Sequence, residues 1–169
     1  MTYQLPFESK DDPRWKLLDA TGARLEKARS QDDIIAIVRS SARNVISADG
    51  VTFVLREYSH CHYVEEDAIA PLWKGQRFPM TSCISGWAMM NAKTAVVPDI
   101  FADSRIPHDV YCKTFVRSLV MAPVGFDTPM AAIGAYWRDK PVISPREVAA
   151  VEAIAKMVAD AMRRTKQAA

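Results

Sequence analysis

The sequence predicts an α+β sandwich, an antiparallel-rich sheet flanked by helices from both chain ends. Three observations predict it. Amphipathic helical periodicity occupies the two ends of the chain. β-Branched and aromatic runs that pair as hairpins fill the middle, and a long stretch rich in turn residues separates the strand groups.

Residues 1–12 are polar, contain Pro6 and read as a flexible tail. From Pro13 to Arg29, the apolar Trp15, Leu18 and Leu25 recur at a 3–4 spacing interrupted by Gly22, which predicts a helix with a narrow stripe. Ser30 stands three residues before Asp33, a cap-like start that serves free N–H groups. Behind it Ile34, Ile35, Val38, Ala42, Val45 and Ile46 make the broad face of a core helix, closed by the Ala48-Asp49-Gly50 turn. Val51–Tyr58 is a strand, and HCHYVEED after Ser59 is its hairpin partner. Pro71, Gly75 and Pro79 mark Ala70–Ser82 as a connection with one short strand near Gln76–Phe78.

ISGWAMMNAK from Ile84 predicts a short helix, and TAVVPD from Thr94 a short strand stopped by Pro98. Ile100–Arg117 is long for a plain loop, so a helical turn is expected after Pro107. SLVMAPVGF from Ser118 and AAIGAYWRD from Ala131 are strands joined through Asp127-Thr128-Pro129. The last helix has the clearest start: Ser144 at the N-cap, Pro145 at N1 and Glu147 at N3. It runs to about Lys166 with two stripes. Val148, Val151, Ala155, Val158 and Met162 form one; Ala150, Ile154, Met157 and Ala161 form the other. One sheet needs only one stripe, so the second marks either one unusually buried helix or a helix that packs on the sheet and on another helix.

Composition bounds the function. With 22 Lys+Arg against 20 Asp+Glu, the net charge of +2 gives no electrostatic case for nucleic acid or an acidic membrane surface. No apolar run is long enough to span a bilayer, and the opening residues lack the pattern of a secretory signal. Cys61, Cys83 and Cys112 are odd in number and widely spaced, which fits reduced thiols in a cytoplasm.

Several stretches in order resemble a GAF domain, the small-molecule sensor module of bacterial signalling proteins. They are Ile84-Ser85-Gly86-Trp87-Ala88, Ala95-Val96-Val97-Pro98-Asp99, Ser118-Leu119-Val120-Met121-Ala122-Pro123-Val124, Ile133-Gly134-Ala135-Tyr136 and the Ser144-capped helix. The resemblance is greatest to the GAF modules placed ahead of sensor histidine kinases, where loops like PDIFADSRIP recur. It implies a central antiparallel sheet with the terminal helices on one face and a ligand pocket on the other, under the irregular segment. The expected organisation is a tail over 1–12, a signalling and dimerisation helix over 13–29, the GAF domain over 30–166 and a tail over 167–169.

The known chemistries of that family match only partly. The Asn-Lys, Phe, Asp-Glu signature for cyclic nucleotides is absent: Ala92 separates Asn91 from Lys93 and the later residues do not follow. Cys61-His62 looks like a bilin attachment dipeptide but lies in the second strand, where alternation turns one of the pair outward. Similarity to free methionine sulfoxide reductases puts Cys112 where their catalytic cysteine lies. Leu119 replaces their strand glutamate, and Tyr136 and Arg138 stand near their aspartates, so the proton donor is missing. His60 and His62 share a strand face but show no third metal ligand, and Glu65-Glu66-Asp67 reads as a solvated strand end.

Trp73, Trp87, Tyr111, Phe115, Tyr136 and Trp137 gather around the irregular segment, as plain core or as the wall of an apolar cavity. On the second alternative, the ligand site lies under Asp99–Arg117 and is built from Ser85, Trp87, Asp99, Tyr111, Phe115 and Met121; Asp99 equally suits a cap of the following turn. No metal or resident cofactor is expected. The sequence thus reads as a non-enzymatic, cytoplasmic sensory module for an unknown small molecule. It would regulate a histidine kinase or similar effector as a parallel homodimer through the Pro13–Arg29 and Pro145–Lys166 helices. The alternative is a thiol-dependent free methionine sulfoxide reductase using Cys112.

Overall fold

The computed structural model describes residues 11–125 and 127–168. The expected tail at 1–12 lies outside these, except for Asp11 and Asp12, and Asp12 is already structural. Its carboxylate accepts the Arg14 N–H at 2.9 Å and caps α1 (Pro13–Glu26). In α2 (Gln31–Ile46) the Ser30 hydroxyl accepts the Asp33 N–H, and the helix closes on Ser47 in the left-handed region. The strands are β1 (Gly50–Glu57), β2 (His60–Ala68), β3 (Arg77–Pro79), β4 (Ala95–Val97), β5 (Ser118–Val124) and β6 (Ala131–Trp137). Between them lie α3 (Ile84–Asn91) and the single-turn α4 (His108–Tyr111), and the chain ends in α5 (Pro145–Gln167). Both halves of the Ser144/Glu147 capping box form, and Gln167 extends α5 into the expected tail.

The six strands form one antiparallel sheet in the order β3-β2-β1-β6-β5-β4. The centre therefore joins the first strand to the last, Val51 opposite Ala135 and Phe53 opposite Ile133. Alternation sorts the side chains onto two faces. Val51, Phe53, Val120, Ala122, Ile133 and Ala135 face α1, α2 and α5. Val54, Leu119, Met121, Ala132 and Tyr136 face α3, α4 and the irregular segment. In β2 the register slips opposite Phe53/Val54, a bulge that puts Cys61 and Tyr63 on the second face and Val64 on the first.

The second stripe of α5 is buried inside its own chain. Ala150, Ile154 and Ala161 are covered, and Met157 packs over Gly22 of α1, where an added Cβ would lie 3.3 Å from its methyl carbon. The Arg164 guanidinium donates to the Leu25 carbonyl at 2.5 Å, adding to the Ala28 N–H that the same carbonyl accepts at the end of α1. Between Ala150 and Lys166 the exposed positions of α5 are Glu152, Asp160, Arg163, Arg164 and Lys166, all charged. Within the chain, α1 lies against α5 and covers this second stripe. Among the described residues no helix is long and apolar enough to cross a membrane.

Ile154 is fully buried between helices and sheet, so Ile154→Ala should lose about 2–5 kcal/mol of unfolding free energy. Urea denaturation checks this; an unchanged midpoint would contradict the intrachain packing of this stripe.

Candidate functional site

The sheet face away from the terminal helices is covered by short elements only, and their placement depends on two close approaches. The Gly86 backbone lies so near the Met80 carbonyl that a Cβ would sit 1.9 Å from the oxygen; only glycine lets α3 seat against the turn before it. On the sheet, a Cβ at Gly134 would meet the Tyr136 hydroxyl at 2.4 Å and the Met121 methyl at 2.7 Å. The missing side chain leaves room for both.

Over this floor Ser85, at the start of α3, is fully buried; its hydroxyl lies 3.1 Å from the Tyr63 hydroxyl and 3.3 Å from Cys83 Sγ. Thr52 Oγ1 and the Tyr136 hydroxyl pair at 2.8 Å. The Tyr111 ring is 4.6 Å from Trp73 and tilted against it. The Tyr111 side chain is 3% exposed, and its hydroxyl is buried against Tyr136 without a hydrogen bond of ordinary geometry. It borders a cavity of about 10 Å³ lined by Tyr63, Trp73, Phe78, Cys83, Pro107, Val110 and Tyr111, roughly the space of one water. Burial holds the Tyr63 and Tyr111 hydroxyls well above the ordinary phenol range, so both are neutral donors.

Of the predicted site residues, Ser85, Tyr111 and Met121 meet in this cluster, with Trp87 and Phe115 at its margin. The Arg105 guanidinium stacks 4.4 Å from the Trp87 ring centroid and is held by two bonds to Asp103, at 3.0 and 2.6 Å. Asp99 is exposed and accepts the Phe101 N–H at 2.9 Å, the cap of a following 3₁₀ turn rather than a wall residue. Cys112 is exposed at the end of α4, its thiol 3.5 Å from the Asp109 carbonyl, outside the buried cluster. His62 pairs with Glu57 at 2.6 Å, and no metal-binding group of three ligands occurs among the described residues.

The sequence reading missed two features. The Glu66 carboxylate accepts the backbone N–H groups of Leu72, Trp73 and Lys74 at 2.7, 2.9 and 2.5 Å, and so fixes the loop that carries Trp73. It is a latch, and Glu65 and Asp67 pair with Lys74 and Arg43, so the acidic run is not simply a solvated strand end. Cys61 and Cys83 also belong to this buried cluster: Cys61 is fully buried with Sγ 3.2 Å from Met80 Sδ, and Cys83, the N-cap of α3, has its thiol 3.5 Å from the Pro79 carbonyl. Strand alternation pointed Cys61 or His62 inward, but nothing local indicated that Cys83 would be buried on the same face. A larger open groove of about 870 Å³ lies elsewhere, between the start of α2, the end of α5 and the β5–β6 connection, with Arg29, Arg56, Arg163 and Lys166 around apolar Leu55, Val124 and Met162.

The GAF domain family model matches residues 30–162. The chain belongs to the GAF domain family. No curated relative matches the chain in sequence. Among solved structures it is similar to a free methionine-R-sulfoxide reductase from Neisseria meningitidis in complex with its substrate, at 16% identity and TM-score 0.78, covering 99% of each chain. A GAF domain from an Acinetobacter phosphoenolpyruvate-protein phosphotransferase matches at 10% identity and TM-score 0.78, covering 94% of this chain and 98% of that one. A phycoerythrobilin-bound GAF domain from a cyanobacterial phytochrome matches at 16% identity and TM-score 0.74, covering 92% and 96%. At these identities the likeness establishes the GAF fold.

Glu66→Ala should cost about 2 kcal/mol, because charge-assisted hydrogen bonds are lost and three N–H groups are left without their acceptor. Trp fluorescence should shift red as the Trp73 loop loosens; unchanged stability and emission would contradict the latch.

Proposed function

We propose that this GAF domain is a small-molecule sensory module whose ligand enters beneath the segment from Pro98 to Arg117. The observation that carries this reading is the Tyr111 hydroxyl, buried against Tyr136 beside a cavity and short of a well-formed hydrogen bond. Such a group loses free energy until something bonds to it. No Asp, Glu, Lys, Arg or His lines the cavity, so the ligand that fits is small and neutral, with an apolar or aromatic body and one polar group for Tyr111.

A cavity of one water is too small for such a molecule, so the cover moves. Its backbone bonds favour that. Among the described residues, Asp99–Val116 bonds mainly within itself: Ile106 to Asp103, Val110 and Tyr111 to Pro107, Cys112 to His108. Its start and its end are tied to one point beside the sheet, where the Ile100 N–H donates to the Arg117 carbonyl and the Arg117 N–H donates to the Trp137 carbonyl. Output passes through α1 and α5 to a histidine kinase or similar effector in the same cytoplasmic pathway.

Native mass spectrometry of the purified protein should show a retained small molecule, or thermal-shift screening of small neutral compounds should find one. Tyr111→Phe should weaken it about tenfold by removing one hydrogen bond. Equal affinity of Tyr111→Phe would contradict the assignment. The second reading is a thiol-dependent reductase of free methionine sulfoxide, supported by the similarity to the meningococcal enzyme over the whole chain. It requires Cys112 to turn inward and an acid that the cluster lacks. NADPH-coupled turnover of free methionine sulfoxide, supplied with a thioredoxin system and abolished by Cys112→Ser, would establish it over the sensor reading; we expect no turnover.

A further inference from the structure

The open groove between the start of α2, the end of α5 and the β5–β6 connection lies on the helix-covered face of the sheet, away from the site beneath the irregular segment. We propose that it docks an acidic amphipathic helix of a partner protein, with the apolar stripe of that helix on the groove floor and its carboxylates against the cations of the two rims. This docking goes beyond the sensor reading and stands whether or not a small molecule enters beneath the segment from Pro98 to Arg117.

The floor follows from strand pairing. At the ends of β1, β6 and β5, Leu55 lies opposite Ala131 and Ala131 opposite Val124. Ala159 and Met162 of α5 close the floor from the helical side, and Met130 is 47% exposed beside it. The rims are cationic. Arg56 comes from the sheet side, where its backbone N–H donates to the Met130 carbonyl at 2.8 Å and its guanidinium to the Tyr58 carbonyl at 3.2 Å. Arg29, Arg163 and Lys166 come from the helical side. There the Arg164 bond to the Leu25 carbonyl holds the end of α5 against the end of α1, just before Arg29.

Charge decides the partner. Of the two carboxylates on the lining, Glu57 is committed to His62 at 2.6 Å and Arg77 at 2.8 Å, which leaves Asp127. Arg163 faces Asp160 at 3.6 Å, but both side chains are more than half exposed and solvent screens the pair. Arg29, Arg56 and Lys166 form no ion pair among the described residues. The whole chain carries only +2, so this excess of cations is local to the groove. An apolar floor between cationic rims matches the i, i+3, i+4 stripe of a helix flanked by Asp or Glu. Nucleic acid would leave the floor uncovered, and a flat bilayer does not fill a groove. A second hollow of about 620 Å³ shares Arg56, Thr128 and Met130 and adds Tyr58, so the surface runs on as an extended partner requires and an enclosed small molecule does not. Tyr58 is 96% exposed and held at φ 55, a conformation that disfavours a β-carbon. Strain kept beneath an exposed aromatic ring marks a contact residue, and Tyr, Arg and Met are enriched where proteins meet.

The test is a fluorescence-anisotropy titration of the full chain against a synthetic helical peptide with leucines at i, i+3 and i+4 and glutamates on either side, and against the same peptide with Gln for every Glu. The expected result is micromolar affinity for the Glu peptide, about tenfold weaker for the Gln peptide and weakened by added salt. Arg56→Glu should weaken the Glu peptide about tenfold. Tyr58→Gly, which removes the ring and relieves the turn, should weaken it while leaving the melting temperature unchanged. Equal affinity for the Glu and Gln peptides, or no binding at millimolar peptide, overturns the proposal, and the wild-type titration decides this without any variant. Where the Glu peptide fails, a dimer dissolved by Arg56→Glu in sedimentation reassigns the groove to a second copy of the chain. Binding to phosphatidylserine vesicles that is lost in the same variant reassigns it to a membrane surface.

Discussion

Every residue of β5 and β6 is buried, on both faces of the sheet, and this constraint organises the rest of the molecule. A strand apolar on both sides must be covered twice. The helices α1, α2 and α5 supply one cover with long regular surfaces. The other cover is made from α3, α4 and the connections around them, too short to pack as a regular layer. The two faces therefore differ in character: one is a helix-packed core, the other an aromatic cluster with neutral hydroxyls and two thiols. The proposed ligand site lies on the second because irregular cover can move without breaking the sheet.

The fold was legible where the determinants are local. Ser30 and the Ser144–Glu147 box cap helices as their sequence spacing requires, and the short strand near Phe78 and the turn of helix after Pro107 both form. In the structure β5 alternates as a strand must, with Leu119 and Met121 on one face and Val120 and Ala122 on the other. Less legible were features set by distant partners. Tyr58 makes the two-residue β1–β2 turn at φ 55, in the left-handed region that glycine favours, where no Gly or Asn marked it. The second stripe of α5 admitted a helix partner without requiring or naming one. That partner is α1, whose Gly22 lies over the end of Met157.

The candidate site shows the same division. Ser85 and Met121 lie in stretches, ISGWA and SLVMAPV, whose place in the cover or the sheet follows from their order along the chain, and Tyr111 lies on the helical turn after Pro107. Asp99 was drawn to its own turn, since an Asp two residues before a free N–H satisfies that group first. Cys112 stands one residue after the buried Tyr111, and on a single helical turn that is enough to point it outward. Glu66 and Cys83 escaped notice because Glu66 has its partners six to eight residues away and Cys83 is buried by residues distant in sequence. Three backbone N–H groups on one carboxylate, and a thiol buried at a helix cap, are properties of the folded chain.

The central claim is that the cover from Pro98 to Val116 opens independently of the sheet beneath it. Native-state hydrogen exchange tests it most directly, since it reads local opening residue by residue. The account predicts that the amides of Ile106, Val110, Tyr111 and Thr114 exchange through local openings, well before those of Leu119–Met121 and Ala132–Tyr136, and that the two sets respond differently to low urea. Equal protection of the cover and of β5 and β6, rising and falling together with global stability, would contradict it.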